Sequence, residues 1–107
     1  MTKEDFFKFQ EEFYSMCMAI TRKKNHDYTS DSGDPFANFK AIETLGISTE
    51  QGFLTRMMDK MMRLGTYVSK AELQVSDESV LDTLNDLANY CSLMAGFIKA
   101  KNTQNEG

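Results

Sequence analysis

A single proline, Pro35, and six glycines are the only strong helix breakers in this chain of 107 residues. Between them lie stretches long enough for helices of several turns. Proline removes a backbone donor, and glycine costs about 1 kcal/mol against alanine in a helix interior. Within those stretches apolar residues recur at three- and four-residue steps, the helical period. No segment of useful length alternates as a strand does. The expected fold is all-α: a compact bundle of about four helices, one of them short, completed by homo-oligomerisation. One domain is expected over residues 1–101, followed by a polar tail at 102–107.

The first helix carries Phe6, Phe9, Phe13, Met16, Cys17 and Ile20 on one face. Thr2 is placed to cap it, and Arg22, Lys23 and Lys24 to close it with the charge that the helix dipole favours. A second stripe, Phe7, Tyr14 and Met18, lies about 100° around the helix. Two such stripes exceed what one small core can cover, which points to a symmetric oligomer with ligand pockets near its subunit interfaces. Residues 25–38 are rich in turn formers and read as one long loop. Phe36 to Leu45 reads as a short helix ended by Gly46. Thr49 can cap a third helix running to about Lys70, with Leu54, Met57, Met58, Met61, Leu64 and Val68 as its apolar face. Ser76 can cap a fourth, whose seam would be Val80, Leu84, Leu87, Cys91, Met94 and Ile98.

Composition narrows the function classes. Hydrophobic residues make up 41% and charged residues 26% of the chain, as in ordinary globular domains. Twelve basic against sixteen acidic side chains leave a net charge of −4, which disfavours nucleic acid as a partner. No apolar run approaches the 18 or so residues of a membrane span, and the acidic start Thr2-Lys3-Glu4-Asp5 does not read as a signal peptide. Cys17 and Cys91 form no CxxC pair and are expected to be reduced, buried hydrophobes in a cytoplasmic protein. His26 stands alone.

Charge is sorted along the chain. Residues 48–70 carry four basic and two acidic groups, residues 71–107 two basic and six acidic. Glu78, Asp82 and Asp86 recur four apart and repel one another on a helix. A cation, a basic neighbour or solvent must offset them. Mg²⁺ would suit such carboxylates, with Asp59 and Asp27 available to complete a site. Equally, Arg56 and Arg63 could pair with Asp82 and Asp86 between helices. Arg56, Lys60 and Arg63 also suit a phosphate by charge and by fork geometry. Asn25, Asp27 and Tyr28 offer the amide, carboxylate and aromatic groups that a nucleoside uses, with Asn89 flanking the acidic stripe. The plain alternatives are a solvated charged face and an Asx turn. The methionines at 57, 58, 61 and 62 are adaptable core or interface filler.

Four motifs occur in order: Lys24-Asn25-His26-Asp27-Tyr28; Asp34-Pro35-Phe36-Ala37-Asn38-Phe39; Arg56-Met57-Met58-Asp59-Lys60 through Arg63-Leu64; and Asp77-Glu78-Ser79 with Asp82-Thr83-Leu84-Asn85-Asp86-Leu87-Ala88-Asn89-Tyr90. Over about residues 20–95 the chain resembles the first type of phage and prophage nucleotide-modification-associated domain proteins. Its helical pattern is similar to that of the wider MazG-like all-α NTP pyrophosphohydrolases. The resemblance implies a nucleotide partner in the cytoplasm of an infected bacterial host. The MazG-like enzymes hold Mg²⁺ through ExxE and ExxD motifs. Here Asp86 matches the final acid of the second motif, but Thr83 stands where its glutamate is expected. Asp82 could substitute only with altered geometry, and the first motif reduces to Asp59.

Three readings follow. The first is a binder of a phosphorylated nucleoside or nucleotide-derived signal, sequestering it as an anti-defence sponge without catalysis or cofactor. Its ligand residues would be Asn25, Asp27, Tyr28, Arg56, Asp59, Lys60, Arg63, Asp82, Asp86 and Asn89. The second is a Mg²⁺-dependent nucleotide pyrophosphohydrolase using Asp59, Glu78, Asp82 and Asp86. The third is a helical interaction protein with no small ligand.

Overall fold

A capped start and an uninterrupted run carry the first helix, α1, from Lys3 to Thr29. Thr2 Oγ1 accepts from the Asp5 amide at 3.1 Å while the Asp5 carboxylate accepts from the Thr2 nitrogen at 3.2 Å, a reciprocal cap. The computed structural model describes residues 1–29, 33–70 and 77–106, and the side chains of all these except 27–29, 77, 78, 105 and 106. The helix does not stop at Lys24. The turn-forming composition of Asn25 to Thr29 is a weak local preference, and neither Gly nor Pro intervenes before Gly33. The loop expected at 25–38 therefore begins later. Gly33 and Asp34 precede a turn at Pro35 and Phe36. The Asp34 carboxylate accepts from the Phe36 amide at 2.9 Å and from the Lys40 ammonium at 2.6 Å.

The short helix expected at 36–45 is split. Ala37–Lys40 form α2, and Ala41–Leu45 tighten into a 3₁₀ turn. Gly46 ends it at φ 77°, a left-handed conformation that favours glycine. The third helix, α3, spans Thr49–Ser69. Its cap is Ser48 rather than Thr49: the Ser48 hydroxyl accepts from the Gln51 amide, and the Gln51 side chain accepts from the Ser48 amide. Thr49 is instead buried, with its hydroxyl donating to Glu43 at 3.2 Å. The fourth helix, α4, spans Asp77–Glu106. Ser76, the expected cap, lies outside the described residues. The polar segment 102–106 continues the helix instead of leaving it. No breaker occurs there, and Lys101 is tied to Glu50 on α3 at 2.9 Å. All regular elements among the described residues are helical.

Helix α4 is central. Helix α1 packs on one flank of it and α3 on another, with α2 wedged between α1 and α3 at one end. α3 runs antiparallel to α4, as its pairs show: Glu50 meets Lys101, Phe53 meets Phe97, and Lys60 meets Asp86. The core is an aromatic cluster. Phe53, 1% exposed, has ring centroids of Phe39 and Phe97 at 4.8 and 6.2 Å, and Phe97 meets Phe36 edge-on at 5.8 Å.

The apolar faces read from the sequence are covered only in part. On α3 the row toward α4 is Phe53, Met57, Lys60, Leu64 and Tyr67, so Met57 and Leu64 of the expected face turn inward while Leu54, Met58, Met61 and Val68 are exposed. On α4 the buried residues are Asn85, Asn89 and Phe97, and of the expected seam Val80, Leu87 and Met94 are half-buried and Leu84, Cys91 and Ile98 exposed. α4 has neighbours on two flanks, so its buried arc is set by Cys17 and Phe53 rather than by its own most hydrophobic stripe. In α1, Phe13, Cys17 and Ile20 turn inward, whereas Phe6, Phe7, Phe9, Tyr14 and Met18 are exposed.

Candidate functional site

Two helical faces converge beside the aromatic core. Thr21, Lys24 and Asn25 share one face of α1, spaced three and four apart. Asp86, Asn89, Tyr90 and Leu93 share one face of α4 at steps of three, one and three. With Pro35, Asn38 and Phe39 at one end and Arg56 from α3, they enclose a cavity of about 300 Å³. That is the lower end of the size range of small-molecule sites. Its walls combine three amides, two cations, one carboxylate and two aromatic rings.

Each group is positioned by a traceable contact. The Asn25 amide donates to the Pro35 carbonyl at 2.8 Å, which pins the turn over the end of the cavity. Asn85, just behind the wall, accepts the Cys17 S–H on its Oδ1 at 3.0 Å and fixes α1 against α4. Burial pushes the Cys17 thiol up, and the nearby Asp86 charge pushes it further, against a backbone hydrogen bond that lowers it. The thiol is therefore a protonated donor and not a nucleophile. The Thr21 hydroxyl is fully buried without a hydrogen-bond partner among the described residues. A buried hydroxyl left unbonded costs about 1–3 kcal/mol.

The charges are distributed unequally. Asp86 is held by two lysines, Lys60 at 3.1 Å and Lys24 at 3.6 Å, and the Lys60 side chain is only 14% exposed. Arg56 has no carboxylate within ion-pair range among the described residues. Its guanidinium lies over the Phe39 ring, 4.9 Å from the centroid. The cross-helix pairing of Arg56 and Arg63 with Asp82 and Asp86 does not form. Lysines take Asp86, and at the cavity wall no described carboxylate neutralises Arg56.

Of the residues singled out from the sequence, Asn25, Arg56, Asp86 and Asn89 line the cavity, and Lys60 supports it through Asp86. Asp59 and Arg63 do not line it. They pair with each other at 3.5 Å on the exposed side of α3, where Arg63 borders a second hollow of about 260 Å³ with Tyr67, Val80 and Thr83. Asp82 is exposed and lines neither hollow. The side chains of Asp27, Tyr28 and Glu78 lie outside the described set. Among the described residues, no three His, Cys, Asp or Glu side chains gather into a metal-binding group. Cavity residues not singled out as ligand groups are Thr21, Lys24, Pro35, Asn38, Phe39, Tyr90 and Leu93. For four of them helical spacing is the signal that could have found them: Thr21 and Lys24 fall on the face of Asn25, and Tyr90 and Leu93 on that of Asp86 and Asn89.

No protein-family model matches this sequence, and neither a curated protein nor a solved structure is significantly similar to it. No helix among the described residues is long and apolar enough to cross a membrane.

Proposed function

We propose that this chain binds an anionic, nucleoside-containing small molecule in the cavity between α1, α4 and Arg56, and retains it without chemistry. One observation carries the reading: Arg56 stands at the cavity wall, oriented by Phe39 and with no carboxylate in ion-pair range among the described residues, although a carboxylate lines the same cavity. A guanidinium so placed beside three amides and two aromatic rings suits a phosphate attached to a planar, polar base. The protein's net charge of −4 gives such a ligand no long-range attraction, so local donors must supply the affinity. Asn25, Asn38 and Asn89 would read polar edges, Tyr90 or Phe39 would meet a ring, and the unsatisfied Thr21 hydroxyl would find a partner. Asp86 would orient Lys24 and Lys60 or accept ribose hydroxyls. Retention without turnover fits sequestration of a nucleotide-derived signal, as the motif resemblance to phage nucleotide-associated proteins suggests.

Titration calorimetry with mono-, di- and cyclic nucleotides tests this, comparing the wild type with Arg56→Ala. A charge-assisted hydrogen bond contributes about 1.5–3 kcal/mol, so the variant should bind at least about tenfold more weakly at an unchanged melting temperature. Unchanged affinity would move the site away from Arg56. Mg²⁺-dependent release of pyrophosphate that Asp86→Ala abolishes would replace the binder reading with the hydrolase.

A further inference from the structure

Asp86 divides its charge between two lysines that are held very differently. Its Oδ2 is 3.1 Å from the Lys60 ammonium, and its Oδ1 is 3.6 Å from that of Lys24. Lys60 reaches Asp86 from α3, does not line the cavity and is only 14% exposed in its side chain. An ion pair so shielded from water is costly to break, which makes Lys60 the fixed counter-ion. Lys24 comes from α1, lines the cavity and is 57% exposed. At 3.6 Å it stands beyond hydrogen-bond distance, and an exposed pair of that kind contributes little. Asp86 is thus neutralised from behind the wall. Lys24 can turn to a ligand without leaving that carboxylate unpaired.

Other described acids around the site have cations of their own. Asp34, beside the lining Pro35, holds Lys40 at 2.6 Å. On α3, Asp59 faces Arg63 at 3.5 Å, and Glu50 holds Lys101 at 2.9 Å. Among the described residues, Lys24 and Arg56 are therefore the two cations at the wall that a bound anion can engage together. A phosphate joined through one ester carries two negative charges above its second pKa of about 6, which two cations match. A phosphate joined through two esters carries a single charge. The volume of about 300 Å³, at the lower end of the range for small-molecule sites, suits one nucleotide rather than a chain of them.

We propose that the nucleotide held in this cavity ends in a phosphate monoester, a dianion gripped jointly by Lys24 and Arg56, and that the site discriminates against phosphodiesters. The proposal rests on the nucleotide-binding reading and adds to it the charge of the ligand and the second cation that reads it. Lys24 is then a specificity-determining residue: Arg56 engages either kind of phosphate, and Lys24 answers only the extra charge of the monoester. Lys60 keeps Asp86 from competing for it.

Titration calorimetry at pH 8 tests this with the 5′-monophosphates of adenosine, guanosine, cytidine and uridine and the methyl phosphate ester of each. The two members of a pair share base and sugar and differ by one methyl group and one charge. For a base that binds, the wild type should prefer the monophosphate by about tenfold or more, the contribution of one charge-assisted hydrogen bond. Lys24→Met should lose most of that preference and Lys24→Arg should keep it, both at an unchanged melting temperature because the side chain is exposed. Equal binding of the two esters, tighter binding of the methyl ester, or a preference that survives Lys24→Met would overturn the proposal and leave the binding site standing. Binding of neither ester of any base would overturn both.

Discussion

The two flanks of α4 invert the usual distribution of side chains. Toward α1 and the cavity it buries Asn85 and Asn89 and half-buries Asp86, whereas its far flank leaves Leu84, Cys91 and Ile98 exposed. Polar groups buried on one flank need partners, and Asn85 finds one in the Cys17 thiol and Asp86 in two lysines, while the Thr21 hydroxyl facing them has none among the described residues. The contrast teaches that α4 buries the arc that meets α1 and the aromatic core, and that its most hydrophobic stripe does not decide which arc that is. α3 repeats the lesson, with Lys60 turned inward and Met58 outward.

Substitution of the core that both flanks share should have the largest effect. Phe53→Ala removes the ring between Phe39 and Phe97 and is expected to cost about 3–5 kcal/mol in urea unfolding. Next comes the cavity flank, where Arg56→Ala should lose at least about 1.4 kcal/mol of nucleotide affinity and almost no stability, because the side chain is exposed. On the opposite flank Gly65→Ala should add about 1 kcal/mol of helix stability in urea unfolding, because a Cβ there meets nothing among the described residues.

The smallest effect lies at the turn that closes the cavity. The hydrogen bond from Lys40, helped by that from the Phe36 amide, holds the Asp34 carboxyl below its ordinary value. The unfolded chain therefore binds this proton more readily. The stabilisation is present above the ordinary aspartate value of about 3.9 and is lost as pH falls through the lower, folded value. Carbon-detected NMR titration of Lys40→Met should show Asp34 moving back up toward that ordinary value. Solvent exposure of the pair keeps its contribution to stability small.

Helix number and type were legible from the spacing of breakers and apolar residues, and Thr2 and Gly46 marked boundaries the structure keeps. The end of α1 was not, because the turn-forming run Asn25 to Thr29 stays helical where no breaker stops it. Nor was the buried arc of α4. Periodicity locates the most hydrophobic stripe of a helix, and on α4 the fold buries a neighbouring arc more fully than that stripe. For the site, Arg56, Asp86, Asn25 and Asn89 could be picked out as charged or amide groups in suggestive company. Asp59 and Asp82 could not be told from Asp86 by type, since only tertiary packing sets one carboxylate between two lysines and leaves the others outside. Phe53 and Phe97, the core itself, carried no signal apart from hydrophobicity.

Native mass spectrometry with an added nucleotide tests most directly whether the cavity flank of α4 is the binding site. Each wild-type chain should carry one ligand, Arg56→Ala should lose it, and Met61→Glu on the opposite flank should keep it. Loss of the ligand in Met61→Glu with Arg56→Ala unaffected would contradict this, by placing the site on the flank away from the cavity.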